Sequence, residues 1–488
     1  MRREAQRAPA VVFAALFALA LALRLANGAL GSLKLDDFHS LYHARAPDLE
    51  AFFGGLVQDN HPPLQFLLVR ASRALFGESE WALRLPALLA GLGTLALVWR
   101  IGARLACPRG RLAAGLLVAV SSLHIDLSSD VRMYALLGLA GAGVLEGLLA
   151  CLEESRGAWR IALWTALGLH AHYHFLYTLV ALGTATVALG LSHSAYRTRL
   201  RACLLALAGG ALLAAPWYAL GFPTQLAHGL APGGSNATLL RLFEGFKNLV
   251  FLDVSAAGAL LHPLLIGASA LFLLLIASGA RGEWLRGRAS GSPALAVLLA
   301  AAGLGVPLLT WSAAQFSTRA GYEWRYLAGA LPAVCLLVGS EGCAAGAFAR
   351  ARRAATALVI ACALVLAGFT VRDPGEEDYR DAAAWILAHA TPADAVVAAD
   401  WQPLIFPQGL GWRYYAARSK GPELEVLDPD EELGLANPVR LEGHARVFCI
   451  LRSLPDGCGL LRMLRQRFAH EEKRVFGRSI HVHVFTRA

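Results

Sequence analysis

Two adjacent carboxylates, Asp36 and Asp37, are the strongest candidates for chemistry in this sequence. One of them could remove a proton as a general base while the other braces the fold, because neighbouring side chains on a helix or turn point in different directions. The alternative is a solvated helix start at which a carboxylate caps the helix.

Two further clusters combine a cation with hydrogen-bonding groups. His61 stands before two prolines that are typical of the start of an amphipathic helix, and Asp130, Arg132 and Tyr134 offer an anion, a cation and a hydroxyl within five positions. The alternatives are that His61 is a structural histidine and that Asp130 and Arg132 only form an ion pair with each other.

The last two clusters are aromatic and basic. His172 and Tyr173 belong to a run whose histidines are two positions apart, and this spacing does not favour a metal site because such residues do not share a helix face. Arg325 and Tyr326 stand together in the fifth cluster, where the guanidinium could hold a phosphate with two hydrogen bonds or extend to lipid headgroups.

The chain that must position these residues has the composition of a membrane protein. Of its 488 residues, 56% are hydrophobic and 16% are charged, which excludes a disordered chain, a coiled coil and an ordinary soluble enzyme. The net charge of +9 arises before residue 373, where 30 basic residues stand against 18 acidic ones, compared with 14 and 17 afterwards. Positive charge in an apolar region sets membrane orientation, so we expect no nucleic-acid partner.

Eleven apolar stretches predict membrane-spanning helices. They are residues 9–29, 84–105, 112–127, 132–152, 159–173, 174–192, 200–220, 257–279, 293–313, 324–346 and 354–372. With a cytoplasmic N-terminus, the arginine clusters between spans fall on the cytoplasmic side, as the positive-inside rule requires. All five polar clusters then lie on the outer side, so we expect the chemistry there.

The predicted architecture is an α-helical polytopic membrane domain, residues 1–372 with a first outer loop at 30–83, followed by a soluble domain, residues 373–488. In the second domain short strand-like runs alternate with helical patterns, which predicts a small α/β fold outside the membrane. The strand-like runs include 395–399, 446–451 and 481–485, and the helical patterns cover 376–390 and 459–469.

Two cysteines, Cys449 and Cys458, lie in this outer domain, and an oxidising compartment permits a disulfide between them. Spacing alone leaves the pairing open, because it does not show that the two side chains meet. The other cysteines fall in or beside apolar stretches and indicate no metal site.

Read together, these motifs resemble the membrane-embedded GT-C glycosyltransferases, in particular glycosyltransferase family 39 and the RgtA-like group related to protein O-mannosyltransferases and aminoarabinose transferases. The resemblance covers most of residues 9–345 in order. It is carried by Asp36-Asp37, His61-Pro-Pro-Leu, Phe76-Gly with Ala82-Leu-Arg-Leu-Pro, Ser129-Asp-Val-Arg-Met-Tyr, His172-Tyr and Arg325-Tyr.

The resemblance implies a GT-C fold and inverting transfer of a sugar from a polyprenyl-phosphate carrier to an acceptor on the outer face. The family's usual Asp-Glu pair is Asp36-Asp37 here, so the resemblance assigns the catalytic base to Asp36 and leaves open which carboxylate acts. A later Glu of the family is Asp130 here.

A lipid phosphate leaving group needs cationic or hydrogen-bonding partners as its charge develops. Arg325 and Tyr326 suit this role, followed by Arg132 and His61. The further substrate-binding candidates are Asp130, Tyr134, His172 and Tyr173.

The expected protein is therefore a multi-pass glycosyltransferase of a bacterial inner membrane that acts on the periplasmic side. Its sugar would be a hexose or a pentose, as in the mannosyltransferases, and its acceptor a glycolipid, a polysaccharide or a protein. The sequence indicates no certain cofactor and leaves a divalent metal open, because related enzymes differ in their need for one. The alternatives are a lipid or polysaccharide transporter or flippase, which should carry polar residues at mid-bilayer, and a non-catalytic scaffold.

Overall fold

The computed structural model describes residues 2–227, 238–252, 258–316, 321–373, 375–399, 409–427, 441, 443–452 and 459–487. Helices dominate these ranges as far as Arg372, and a five-stranded sheet with flanking helices follows. The first seventeen helices are α1 (Arg2–Leu30), α2 (Leu35–Ala44), α3 (Leu49–Leu56), α4 (Leu64–Phe76), α5 (Glu80–Gly102), α6 (Pro108–Val120), α7 (Ser122–Leu127), α8 (Tyr134–Glu154), α9 (Ala158–Ala171), α10 (Phe175–Ser192), α11 (Ser194–Ala227), α12 (Leu239–Asn248), α13 (Gly258–Ser290), α14 (Ala294–Ala300), α15 (Val306–Phe316), α16 (Leu331–Ser340) and α17 (Ala349–Arg372).

The remaining elements are α18 (Tyr379–His389), β1 (Ala395–Ala399), α19 (Leu410–Ala416), β2 (Glu425–Leu427), β3 (Arg446–Arg452), α20 (Gly459–Arg467), β4 (His470–Phe476) and β5 (Ile480–Thr486). A π-helical segment, Ala301–Gly305, connects α14 to α15, and 3₁₀ segments cover Trp324–Gly329 and Glu341–Cys343.

Eight helices within the described ranges are long and apolar enough to cross a membrane, and the protein is a multi-pass membrane protein. They are Pro9–Leu30, Glu80–Gly102, Tyr134–Glu154, Phe175–Ser192, Ser194–Ala227, Pro263–Ser290, Ala294–Phe316 and Ala349–Arg372.

Three of the eleven predicted spans, residues 112–127, 159–173 and 324–346, do not form single long helices. The first is broken at Ser121, whose hydroxyl caps a new helix by accepting a hydrogen bond from the His124 amide at 3.1 Å. The second is a helix of 14 residues, and the third begins as a 3₁₀ segment. The count of eleven spans therefore stays a prediction. Hydropathy averages over neighbouring residues and does not detect such breaks in a helix.

The chain folds as two compact units. The first unit is Met1–Asn27 with Pro47–Arg372, and the second unit is Gly28–Ala46 with Asp373–Ala488. Residues 28–46, which fall in the predicted first outer loop, thus cluster with the C-terminal residues.

Small residues bring backbones close together around α8, the most buried long helix of the first unit. A Cβ added to Gly141 would lie 2.7 Å from the Gly329 carbonyl oxygen, and one added to Gly143 would lie 2.2 Å from the Trp164 ring. Larger side chains at these positions would force the helices apart.

One carboxylate, Glu146, lies inside α8 and departs from the apolar composition expected of a span. Its side chain is 1% exposed and is paired with Arg160 at 2.9 Å and with Arg100 at 2.8 Å. A buried charge with two cationic partners is stabilised in place, so this residue has a structural explanation.

The second unit contains a mixed sheet in the order β2-β1-β3-β5-β4. β1 pairs in parallel with β2 and β3, while β3, β5 and β4 pair antiparallel. β1 is buried along its whole length, as is typical of central parallel strands, and the edge strand β4 is charged and mostly exposed. The predicted helical membrane protein with a small C-terminal α/β domain is confirmed.

One disulfide joins cysteines other than the two considered from the sequence. Cys107 and Cys343 form a disulfide in the first unit that the sequence analysis did not predict. Cys449 is buried in β3, whereas Cys458 lies outside the described residues, so their pairing stays a prediction.

Candidate active site

The two adjacent carboxylates stand in the first turn of α2 and have different environments. Asp37 is 1% exposed, and its Oδ2 accepts a hydrogen bond from the Lys34 backbone amide at 3.0 Å. Asp37 therefore stabilises the start of its own helix. Asp36 is half-buried.

The start of α2 is held by a carboxylate from the C-terminal residues of the second unit. Glu377 accepts a hydrogen bond from the Leu35 amide at 2.6 Å and another from Arg452 Nε at 2.5 Å. Burial raises the pKa of Glu377 above its ordinary value, although the Arg452 guanidinium and the Leu35 amide oppose this rise. The negative charge of Asp36 contributes to raising the pKa of both Glu377 and Arg452.

An aromatic cage fixes the same helix from another side. Phe38 is 1% exposed and packs against three tyrosine rings, with centroid distances of 5.5 Å to Tyr379, 5.5 Å to Tyr414 and 6.1 Å to Tyr415. Such edge-on and tilted contacts add to the burial of apolar area. α2 is therefore anchored by both ionic and aromatic contacts within the second unit.

Two histidines on α2 were missed in the sequence analysis. His39 and His43 are buried, and their Nε2 atoms lie 3.1 Å apart. The spacing of four residues between them, which places both on one helix face, was the available signal.

The other candidate residues that the structure brings together belong to the first unit. His61 Nε2 lies 3.3 Å from Arg132 Nη2, and His61 Nδ1 lies 3.8 Å from Asp59 Oδ1. Since a guanidinium only donates, His61 accepts through Nε2 and carries its proton on Nδ1, facing the carboxylate. Arg132 itself is 4% exposed.

His172 lies at the centre of an aromatic cluster. Its ring centroid is 5.7 Å from His61, 5.6 Å from Tyr134 and 5.1 Å from Tyr326. The Arg325 guanidinium lies over the Tyr134 ring at 5.4 Å and over the Tyr326 ring at 5.9 Å. Residues from four separate parts of the chain thus meet at one place.

The electrostatic character of this cluster is positive. Burial lowers the pKa of His172, which is 4% exposed, and the positive charges of Arg132 and Arg325 lower it further. Its Nδ1 accepts a hydrogen bond from the His174 amide at 3.0 Å, and its Nε2 has no hydrogen-bond partner among the described residues. Two arginines and a buried imidazole form a suitable environment for an anionic ligand.

Tyr173, predicted to bind substrate, has a supporting place in the structure. Its hydroxyl donates to Gln225 and accepts a hydrogen bond from Trp217 Nε1 at 2.9 Å. Gln225 Nε2 in turn donates to the carbonyl oxygens of Leu56 at 2.8 Å and His61 at 3.1 Å. This chain of hydrogen bonds holds the segment that carries His61. The sequence analysis did not identify Gln225 as a supporting residue, because no motif surrounds it in the sequence.

Asp130 lies in the turn between α7 and α8 and is half-buried. Its amide donates to the Asp126 carbonyl at 3.1 Å, and this turn delivers Arg132 and Tyr134 to the cluster. Its place is therefore beside the cluster on the same turn.

A buried arginine in the first span supports that turn. Arg24 is 1% exposed and donates to the carbonyls of Val118 and Ala119, each at 3.1 Å, and its Nη2 lies 2.6 Å from His124 Nδ1. These carbonyls end α6, so Arg24 satisfies the groups that the break at Ser121 exposes. A single arginine within an apolar span was the signal that sequence reasoning overlooked.

A family model described as dolichyl-phosphate-mannose-protein mannosyltransferase matches residues 60–219, which carry His61, Arg132 and His172. No curated protein sequence matches the chain significantly.

Solved structures with a similar fold include ArnT from Cupriavidus metallidurans bound to undecaprenyl phosphate, with a TM-score of 0.53 and 16% identity over 96% of this chain and 97% of that one. The apo state of the same protein gives a TM-score of 0.53 and 15% identity over 98% of each chain. The archaeal oligosaccharyltransferase AglB from Archaeoglobus fulgidus, in complex with an inhibitory peptide and a dolichol-phosphate, gives 0.50 and 11% identity over 97% of this chain and 74% of that one.

The fold extends along nearly the whole chain, and the family model covers part of the cationic and aromatic cluster, since Arg325 and Tyr326 lie beyond the matched residues. The predicted resemblance to the membrane-embedded GT-C glycosyltransferases is supported: the chain shares the fold of solved GT-C enzymes, and the mannosyltransferase family model matches residues 60–219.

Proposed function

We propose that this protein is an inverting glycosyltransferase that moves a sugar from a polyprenyl-phosphate-linked donor to an acceptor on the periplasmic face of a bacterial inner membrane. The observation that carries the proposal is a cluster in the first unit where buried Arg132 and His172 meet half-buried side chains, which are His61, Arg325 and Tyr326. An anion-binding cluster in a GT-C fold suits a donor whose leaving group is a lipid phosphate.

Asp36 acts as the general base in this proposal. An acceptor hydroxyl must lose its proton as it attacks the anomeric carbon, and a positioned carboxylate can take that proton. Asp37 is already engaged at the helix start, which supports a division of labour in which Asp37 braces α2 and Asp36 reacts.

Arg325 and Arg132 stabilise the departing phosphate. Negative charge builds on its oxygens as the glycosidic bond breaks, and fixed guanidinium donors stabilise this charge more in the transition state than in the ground state. Tyr326, Tyr134 and His172 line the same cluster and exclude water from it.

The comparisons support the proposed donor and acceptor classes. The family model names a mannosyltransferase that uses a dolichyl phosphate, and the ArnT structure holds undecaprenyl phosphate. A polyprenyl-phosphate hexose or pentose is therefore the proposed donor, with a glycolipid, polysaccharide or protein as acceptor. The arginine-rich loops favour a cytoplasmic N-terminus and a periplasmic C-terminal domain.

The test is transfer of radiolabel from a panel of polyprenyl-phosphate sugars in membranes that contain wild type, Asp36→Asn or Asp37→Asn. We expect Asp36→Asn to lower the transfer rate about 10²–10⁴-fold, the usual contribution of a general base. Asp37→Asn should act mainly through a less stable α2.

Asp48→Asn is the matched control, because Asp48 caps α3 by accepting a hydrogen bond from the Ala51 amide at 2.7 Å. It should transfer sugar at the wild-type rate. A transfer rate unchanged by Asp36→Asn would remove the proposed base, and a protein that moves donor lipid without cleaving it would favour the transporter alternative.

A further inference from the structure

His39 and His43 form a close imidazole pair on α2. They lie one helical turn apart with ring centroids 4.9 Å from each other, and their side chains are 8% and 3% exposed. Burying two imidazoles with their Nε2 atoms 3.1 Å apart brings two metal-ligating nitrogens to a single point.

The separation of the two nitrogens fits a shared metal ion. Zinc–nitrogen bonds of about 2.0–2.1 Å at a tetrahedral angle place two ligand nitrogens roughly 3.3 Å apart. One ring can donate a hydrogen bond to the other when no ion is bound, so the same geometry serves both the apo and the metal-bound pair.

We propose that His39 and His43 chelate a divalent transition-metal ion of the zinc class through their Nε2 atoms. Imidazole is a preferred ligand of zinc, copper and nickel, and helical spacing of four residues lets both rings reach one ion. Two neutral imidazoles leave the charge of the ion uncompensated, so its remaining positions take oxygen ligands, water among them.

The ion is placed beside the proposed base by the helix itself. Asp36 precedes His39 by three residues and His43 by seven, so all three lie on one face of α2. A bound ion would therefore cross-link two consecutive turns of α2, the helix that carries Asp36. Metal binding by the pair does not depend on the proposed sugar transfer.

The test uses the full chain in detergent micelles, purified without a polyhistidine tag and stripped with EDTA. Titration with Co²⁺ should produce the visible absorption of tetrahedral cobalt at one ion per chain, and Zn²⁺ should displace it. His39→Gln and His43→Gln should each weaken binding by at least about 100-fold, more than the loss of an outer-shell partner.

The control variant is His389→Gln, because His389 is exposed and its ring lies 2.8 Å from the carbonyl oxygen of Trp385 in its own helix. It should bind cobalt as the wild type does. Absence of the cobalt absorption in wild type, or equal affinity in wild type and both α2 variants, would overturn the proposal.

A second measurement uses only the wild type, so it tests the proposal even if the histidine variants do not fold. In the wild type, Zn²⁺ should slow amide hydrogen exchange in the peptide that carries α2, while exchange in the peptide that carries His389 stays unchanged. Equal exchange of the α2 peptide with and without Zn²⁺ would also overturn the proposal. Neither measurement uses a sugar donor, so failure of metal binding and failure of glycosyl transfer are separate results.

Discussion

Replacing Glu377 by glutamine should disconnect the Asp36 helix from its anchor without changing the size of the side chain. The carboxylate satisfies two donors, the Leu35 amide at 2.6 Å and Arg452 Nε at 2.5 Å, whereas a glutamine amide offers only one acceptor oxygen. A hydrogen bond to a charged group contributes about 1.5–3 kcal/mol, so the anchored state of α2 should lose roughly that much.

The expected effect on turnover is larger than the effect on donor binding. Displacement of a reacting group by about 1 Å can cost on the order of 10²-fold in rate, because the attacking and reacting atoms lose their alignment. Since Glu377 holds the helix of the proposed base, Glu377→Gln should lower kcat about 100-fold and leave the donor KM near the wild-type value.

The assay is steady-state sugar transfer by full-length protein in micelles, together with thermal unfolding. Glu471→Gln is the matched control, because Glu471 of β4 also bridges two partners, Arg465 and His483, each at 2.7 Å. Both variants lose one bridging carboxylate of the second unit, buried for Glu377 and on the exposed edge strand for Glu471, but of the two only Glu377 contacts α2. A wild-type kcat in Glu377→Gln, or an equal loss in Glu471→Gln, would refute the anchoring role.

Two further predictions concern the phosphate cluster and the second unit. Arg132→Lys should lower kcat/KM for the donor about 10–100-fold, because lysine cannot form a two-pronged guanidinium contact with the departing phosphate; an unchanged kcat/KM in donor-dependent kinetics would contradict this. Burial opposes the shift at Asp394, but hydrogen bonds from Arg446 and Thr391 lower its pKa overall. A carboxyl with a depressed pKa contributes stability above its unfolded pKa of about 3.9, and that stability is lost as the pH falls through the folded pKa. Asp394→Asn should therefore reduce the fall in Tm of the full chain between neutral and acid pH. The same dependence of Tm on pH in the wild type and the variant would show that the Asp394–Arg446 pair does not contribute to this fall.

Local pattern predicted the secondary structure well where one element decides the outcome. The strand-like runs at 395–399, 446–451 and 481–485 coincide with β1, β3 and β5, because a buried strand is marked by its own β-branched and apolar residues. The helix after the two prolines is α4, with Pro63 at its N-cap. The breaks within predicted spans were missed because Ser121 ends a helix through contacts with a distant segment, donating to the Leu249 carbonyl at 2.7 Å.

Sequence alone determined the class of protein, the apolar helices, the small α/β domain and the residue types that could carry the chemistry, because hydropathy and short-range spacing are properties of neighbouring residues. Only the tertiary structure decided which of those residues meet. Leu35 and Glu377 are 342 positions apart, and His61 and Arg132 are 71 apart, yet each pair forms a hydrogen bond. It also placed Glu377 at the start of the helix that carries Asp36 and Asp37, because a contact across 342 positions is encoded by no short-range pattern.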